Sequence, residues 1–187
     1  MSNAKLNIMI NVVSLQLGWF ACVLGAANGW PWLGLPVVMA VVLVHTTLVR
    51  DAAKELRLVA FAVLLGAVFD SALMASGWID YRNGIFIPGL APIWILAMWA
   101  QFATTLNVSM AWLKGRPLLA AVTGAIGGPM SWIAGAKLGA IDLVEPTAAV
   151  IALAVGWAAA MPLMMLMAER FNGVEPETAL ETSEQAA

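Results

Sequence analysis

The sequence predicts an all-α, polytopic membrane protein with six transmembrane helices and both termini on the cytoplasmic side. Three observations predict it. Of 187 residues, 62% are hydrophobic and only 11% charged, whereas a soluble domain is about half apolar and a quarter charged. The apolar residues gather into six segments, each close to the roughly 20 residues that a bilayer crossing needs. The basic residues between those segments collect on alternate connections, as the positive-inside rule requires.

The segments run Ile8 to Ala26, Trp32 to Val49, Leu58 to Ser76, Leu90 to Trp112, Leu118 to Ala140 and Thr147 to Ala168. The first is longer than a signal-peptide core, has only Lys5 before it, and is interrupted by Asn11 and Gln16. It therefore reads as a retained helix rather than a cleaved leader. Asn28-Gly29-Trp30-Pro31-Trp32 makes a tight turn to the second segment. Gly77 to Gly89 is the longest loop, with Trp78 and Tyr81 suited to the headgroup layer. Residues 1–170 thus form one transmembrane domain. Residues 171–187 carry Glu175, Glu177, Glu181 and Glu184 without apolar periodicity, and are expected to be a disordered cytoplasmic tail.

Lys5, Arg50, Lys54, Arg57, Lys114, Arg116 and Arg170 fall on one side of this scheme, and Arg82 alone on the other. Seven against one sets the orientation and requires an even number of crossings. The expected location is a bacterial inner membrane, with membrane lipids as the surrounding partner.

Net charge is −2, which argues against nucleic acid as a partner. Cys22 is the single cysteine, so no intrachain disulfide forms. His45 is the single histidine and has no cysteine or carboxylate at ligand spacing, so neither a metal site nor a cofactor is expected. No phosphate loop, dinucleotide fingerprint or nucleophile elbow is present.

Polar groups inside the apolar segments are the candidates for function, because each is costly there. The crossing directions sort them by depth. Asp70, Ser71 and Lys137 form an outer layer. Gln16, Gln101 and Thr104 form a middle layer. Asn11, His45, Thr46, Asn107 and Ser109 form an inner layer, with Glu55 just below. Asp70 and Lys137 have opposite charges and would offset each other's cost as a pair. His45 near Asn107 offers either a general base or an interhelical hydrogen bond. Gly127-Gly128-Pro129 lies near the middle of the fifth segment. It predicts a broken or kinked helix, since Pro removes one helix hydrogen bond and such breaks occur at transporter sites. Gly124-xxx-Gly128 and Gly135-xxx-Gly139 suit close helix packing.

Several of these features recur together: Gly18-Trp19 with Leu24-Gly25-Ala26, His45, Glu55-Leu56, Gly66 with Asp70, and Pro92-Ile93-Trp94. Phe102 to Asn107, Gly127-Gly128-Pro129, Ala134-Gly135 and Leu138-Gly139-Ala140 complete the pattern. On these the chain, up to about Arg170, resembles a family of bacterial membrane proteins, domain of unknown function 2878. The resemblance implies an inner-membrane helical protein with no established activity. It also implies genes that neighbour fatty-acid-modifying methyltransferases, and hence a lipid-modifying enzyme as a partner.

Three functions fit these residues. A component that handles or modifies lipid acyl chains beside soluble enzymes needs a lateral opening reached by His45, Asn107 and Asp70. A small-solute or proton-coupled transporter needs an enclosed polar cavity at the midplane. A noncatalytic scaffold needs a tight Asp70–Lys137 pair and an apolar groove for another protein.

Overall fold

The computed structural model describes residues 3–174. Six α-helices account for most of them: α1 (Asn3–Ala27), α2 (Gly34–Leu48), α3 (Ala52–Ala75), α4 (Ile93–Leu106), α5 (Pro117–Lys137) and α6 (Pro146–Arg170). A 3-10 turn, Ala111–Leu113, lies between α4 and α5. Four helices are long and apolar enough to cross a membrane, namely α1, α3, α5 and α6. Helices α2 and α4, of 15 and 14 residues, are shorter. At about 1.5 Å per residue they span about 21–23 Å, less than the roughly 30 Å hydrocarbon layer.

The fourth segment is therefore shorter as a helix than its apolar length predicts. It starts after Pro92, whose ring suits the entry to a helix. It stops at Leu106 because Asn107 turns its carboxamide onto Glu55. The apolar residues beyond it form turns. Val108 and Met110 both donate their backbone N–H to Thr105 O. Irregular backbone at membrane depth is tolerated when protein covers it, and Leu113 and Asn107 are buried.

Helix α4 is the hub. It packs against α1, α2 and α3, while α5 and α6 form a hairpin that meets the rest through α3 and α4. Its central position explains why Trp94, Ile95, Trp99, Gln101, Ala103, Thr104, Thr105 and Leu106 are all buried. The outer faces of the surrounding helices are apolar and exposed, with Leu17, Leu64, Val68, Ile126 and Val155 among them. An apolar exterior of this kind is the expected face toward lipid.

The expected break in α5 does not occur. The helix runs uninterrupted from Pro117 to Lys137 with Pro129 inside it. The glycines serve packing instead. A Cβ on Gly124 would collide with the backbone carbonyl of Trp157, and one on Gly128 with the Trp157 ring. These two close approaches seat α6 along α5, the use predicted for Gly124-xxx-Gly128. Gly139 has a different role. Its φ of +86° ends the helix in the left-handed conformation that glycine adopts freely.

Two connections expected as loops pair as a ribbon. Strand β1 (Ile79–Tyr81) lies antiparallel to β2 (Ile141–Leu143), with Asp80 opposite Asp142. Ile79 and Tyr81 point inward and Asp80 outward, the period-two pattern of a half-buried strand. Arg82 closes the ribbon with a two-pronged bond to Asp142, at 2.7 and 2.6 Å. That contact holds the Asp142 carboxyl below its ordinary range.

At the opposite end, the folded unit extends past Arg170. Gly173 is buried, its N–H donates to Glu55, and its carbonyl accepts from the N–H groups of Arg50 and Asp51. The first residues of the expected tail are thus packed against the start of α3. Residues 175–187, which carry its acidic groups, lie outside the described residues.

Candidate functional site

The polar residues do not converge on one site. They form two buried clusters at opposite ends of the bundle, a set of interhelical fasteners, and a cavity between them.

The first cluster is centred on Glu55, in the first turn of α3. The Asp51 side chain caps this helix by accepting from Lys54 N at 3.1 Å. Glu55 Oε2 lies 2.9 Å from His45 Nε2 on α2. Its Oε1 accepts from Asn107 Nδ2 at 2.8 Å and from Gly173 N at 2.7 Å. His45, Glu55 and Asn107 are all buried. One carboxylate thus ties α2, α3, the end of α4 and the segment after α6. His45 and Asn107 do meet, as their shared depth predicted, but through Glu55. Thr46, from the same predicted layer, bonds only within its own helix, to Leu43 O.

The second cluster is centred on Asp70, which is fully buried. Tyr81 on β1 donates its hydroxyl to Asp70 Oδ1 at 2.5 Å. Trp99 on α4 donates its indole N–H to Oδ2 at 2.7 Å. Trp132 on α5 donates to the Tyr81 oxygen at 3.4 Å. Burial, with the Asp70 carboxylate beside it, holds the Tyr81 hydroxyl well above its ordinary pKa, so it remains a donor. The expected Asp70–Lys137 pair is not formed. Lys137 is exposed in the last turn of α5, where a cation is favoured by the helix dipole. Both Asp70 oxygens are already taken by neutral donors. Ser71 accepts from Ala91 N at 2.9 Å and fixes the approach to α4.

The middle residues fasten α1 to α4. Gln101 Nε2 donates to the carbonyls of Ser14 and Leu15, at 3.2 and 2.5 Å. Gln101 Oε1 lies against Gly18, where a Cβ would overlap it. Asn11 Nδ2 donates to Thr104 O at 3.0 Å, and Ser109 donates to Asn11 Oδ1 at 2.6 Å. These bonds belong to the interhelical kind that stabilises membrane bundles. Gln16 is not among them and is exposed.

Between α1 and α4 on one side and α5 and α6 on the other lies a cavity of about 440 Å³, within the roughly 300–1,000 Å³ range of small-molecule sites. It extends from the level of Trp99 and Trp132 down to Met110 and Leu113. Its wall is mainly apolar and aromatic. Trp99 and Trp157 stack at 4.8 Å with an 11° tilt. Trp132 and Phe102 stand edge-on to Trp157 at 5.8 and 5.4 Å. Gln16, Gly127 and Met130 sit at its rim and are exposed. Trp19 bridges from α1 to α5 by donating to Ser131 at 3.0 Å. The polar groups in the wall are indoles, glutamines, a serine and a threonine, and none of the lining side chains is ionisable. Of the predicted candidates, Gln16, Gln101, Gly127 and Gly128 line it. His45, Asp70, Asn107, Lys137 and Asn11 do not.

The residues that sequence reasoning missed are Trp99, Trp132, Trp157, Tyr81 and the central role of Glu55. A signal for the tryptophans was present. Trp prefers the membrane interface, yet Trp99 and Trp157 fall at mid-helix. A mid-helix Trp calls for an internal contact. Among the described residues, no three His, Cys, Asp or Glu side chains gather as a metal site.

A family model described as a protein of unknown function (DUF2878) matches residues 8–163. The match covers most of the chain, so the chain belongs to that family. No curated protein and no solved structure matches it.

Proposed function

We propose that this member of the DUF2878 family is a membrane lipid-binding protein that seats one apolar chain in the cavity bounded by α1, α4, α5 and α6. The observation that carries the reading is the cavity itself. Its wall is apolar and aromatic, and its rim lies on the exposed faces of α1 and α5. In a bilayer those faces meet acyl chains. The absence of ionisable side chains from the lining favours holding a chain over acid–base chemistry on it. A transporter for a polar solute would need a polar, enclosed lining, which this cavity does not offer.

The same reading places the protein in a bacterial inner membrane, with all six helices crossing and both ends cytoplasmic. Seven basic residues on one set of connections against Arg82 on the other support the orientation. Helix α2 and helix α4 complete their crossings with the turns that flank them.

The test is lipid retention. Gly127 lies at the rim, and a Cβ added there meets nothing within 4 Å. Gly127→Leu therefore starts from open space and sets a bulky side chain at the mouth, with a gain of about 1 kcal/mol of helix propensity. Native mass spectrometry after detergent exchange should show one retained lipid on the wild type and none on Gly127→Leu. Equal retention by both, or none by either, would refute the reading.

A further inference from the structure

Helices α2 and α6 end at one height and begin at different ones. Gly173, just after α6, accepts from the backbone N–H groups of Arg50 and Asp51, just after α2. The C-terminal ends of the two helices are thereby level, on the side read as cytoplasmic. From there α6 rises through 25 residues and α2 through only 15. At 1.5 Å per residue these are about 37.5 and about 22.5 Å. Helix α6 thus exceeds a hydrocarbon layer of roughly 30 Å, while α2 stops about 7 to 8 Å short of it. Tilting α2 only lowers its outer end further.

The bundle does not screen α2 from lipid, since Met39, Leu43, Val44 and Leu48 are exposed along it. At its outer end stand Trp32 and Leu33 of the preceding turn, and Phe86, whose ring lies 4.1 Å from that of Trp32. These side chains and the neighbouring Ile85 and Ile87 are also exposed. Their apolar groups suit hydrocarbon, but the backbone beneath them does not. Residues 85–87 belong to no helix or strand, and among the described residues no group accepts from the N–H of Ile85, Phe86 or Ile87. Irregular, unpaired backbone facing lipid is excluded from the hydrocarbon region. Aromatic rings on such a backbone suit the headgroup layer. That layer is therefore set at the height of Trp32 and Phe86 on the α2 side. It is set higher on the α6 side, where the ribbon with Asp80, Arg82 and Asp142 leads into the taller helix.

We propose that the outer leaflet is thinned beside α2, with its headgroups drawn down to Trp32 and Phe86, so that this face is a contact surface for phospholipids with short or loosely ordered acyl chains. A hydrophobic stretch shorter than the hydrocarbon layer is accommodated by local thinning at modest cost. The inference rests on all six helices crossing, as proposed above, and is independent of what the cavity holds. It adds a second lipid contact, on a helix that packs with α1, α3 and α4.

The experiment measures spin-label depth in the full-length protein, reconstituted in dioleoylphosphatidylcholine vesicles. Cys22 is buried and takes no label. Leu33→Cys and Val155→Cys both replace exposed side chains. Leu33 is as many residues from Leu48, the end of α2, as Val155 is from Arg170, the end of α6. Leu43→Cys, also exposed, reports the middle of α2. Power saturation with oxygen and with a water-soluble nickel complex reads each depth. The expected result places the Leu33 label at the headgroup layer and the Val155 label about 7 to 8 Å inside the hydrocarbon edge. The Leu43 label reads as hydrocarbon. Equal depths at Leu33 and Val155 overturn the proposal, and with Leu43 still in hydrocarbon the crossing of α2 stands. Nickel collisions as frequent at Leu43 as at Leu33 deny that α2 crosses, and the proposal falls with that reading.

Discussion

Glu55 satisfies three donors with one buried carboxylate: His45, Asn107 and the backbone of Gly173. Removing it leaves His45 and Gly173 without that acceptor and Asn107 with only its 3.3 Å bond to the Phe171 carbonyl, and an unsatisfied buried group costs about 1–3 kcal/mol. Glu55→Leu should therefore destabilise the folded protein by about 3 kcal/mol or more, the range for breaking a buried polar pair. Glu55→Gln keeps an acceptor for Asn107 or Gly173 and should cost less. Thermal unfolding in detergent followed by near-ultraviolet circular dichroism checks this; a Glu55→Leu melting point equal to that of the wild type would contradict the arrangement. At this scale the sequence was partly legible. The depths of His45 and Asn107 were readable because helical rise converts position into height. Their shared partner was not, since Glu55 lies at the start of α3 and looks like one more charge among Arg50, Asp51, Lys54 and Arg57. Asp70 misled for a related reason. A lone buried acid suggests a basic partner, but two neutral donors from Trp99 and Tyr81 satisfy it as well.

The elements follow from the apolar lengths with two exceptions. Helix α4 ends early because Asn107 is drawn to Glu55, and Gly77 to Gly89 contributes a strand because Ile79 and Tyr81 alternate with Asp80. Three residues of alternation are too few to read with assurance against a loop. The Gly-Gly-Pro sequence looked like a break because the same glycines permit either flexibility or close packing. The bulk of Trp157 on the facing helix decides for packing, and that facing is tertiary information. The sidedness of the elements is directly testable. Cys22 is buried and does not compete for label. Phe86→Cys lies in the connection after β1 and Arg116→Cys in the turn before α5, both exposed positions. In intact cells a thiol reagent that cannot cross the membrane should label Phe86→Cys and leave Arg116→Cys untouched until the cells are opened. The reverse pattern would invert the orientation, and equal labelling would deny a crossing between the two sites.

For the whole molecule, a six-helix bundle in a membrane follows from composition, and four of its helices have the length to cross. The cavity does not follow from composition. It exists because α1 is fastened to α4 by Gln101 and Asn11, while α5 is drawn to α6 by Gly124 and Gly128. The two groups part along α1 and α5, where the Trp19–Ser131 bond spans the gap. No local pattern encodes that separation; it depends on which helices pack most tightly. The most direct measurement is photocrosslinking with a phospholipid that carries a diazirine on its acyl chain, followed by peptide mapping. Crosslinks concentrated at cavity residues such as Phe102, Met130 and Met161, and lost in Gly127→Leu, are the result predicted. Crosslinks spread evenly over outward positions such as Leu64, Val68 and Val155, and unchanged in Gly127→Leu, would contradict a lipid-binding cavity.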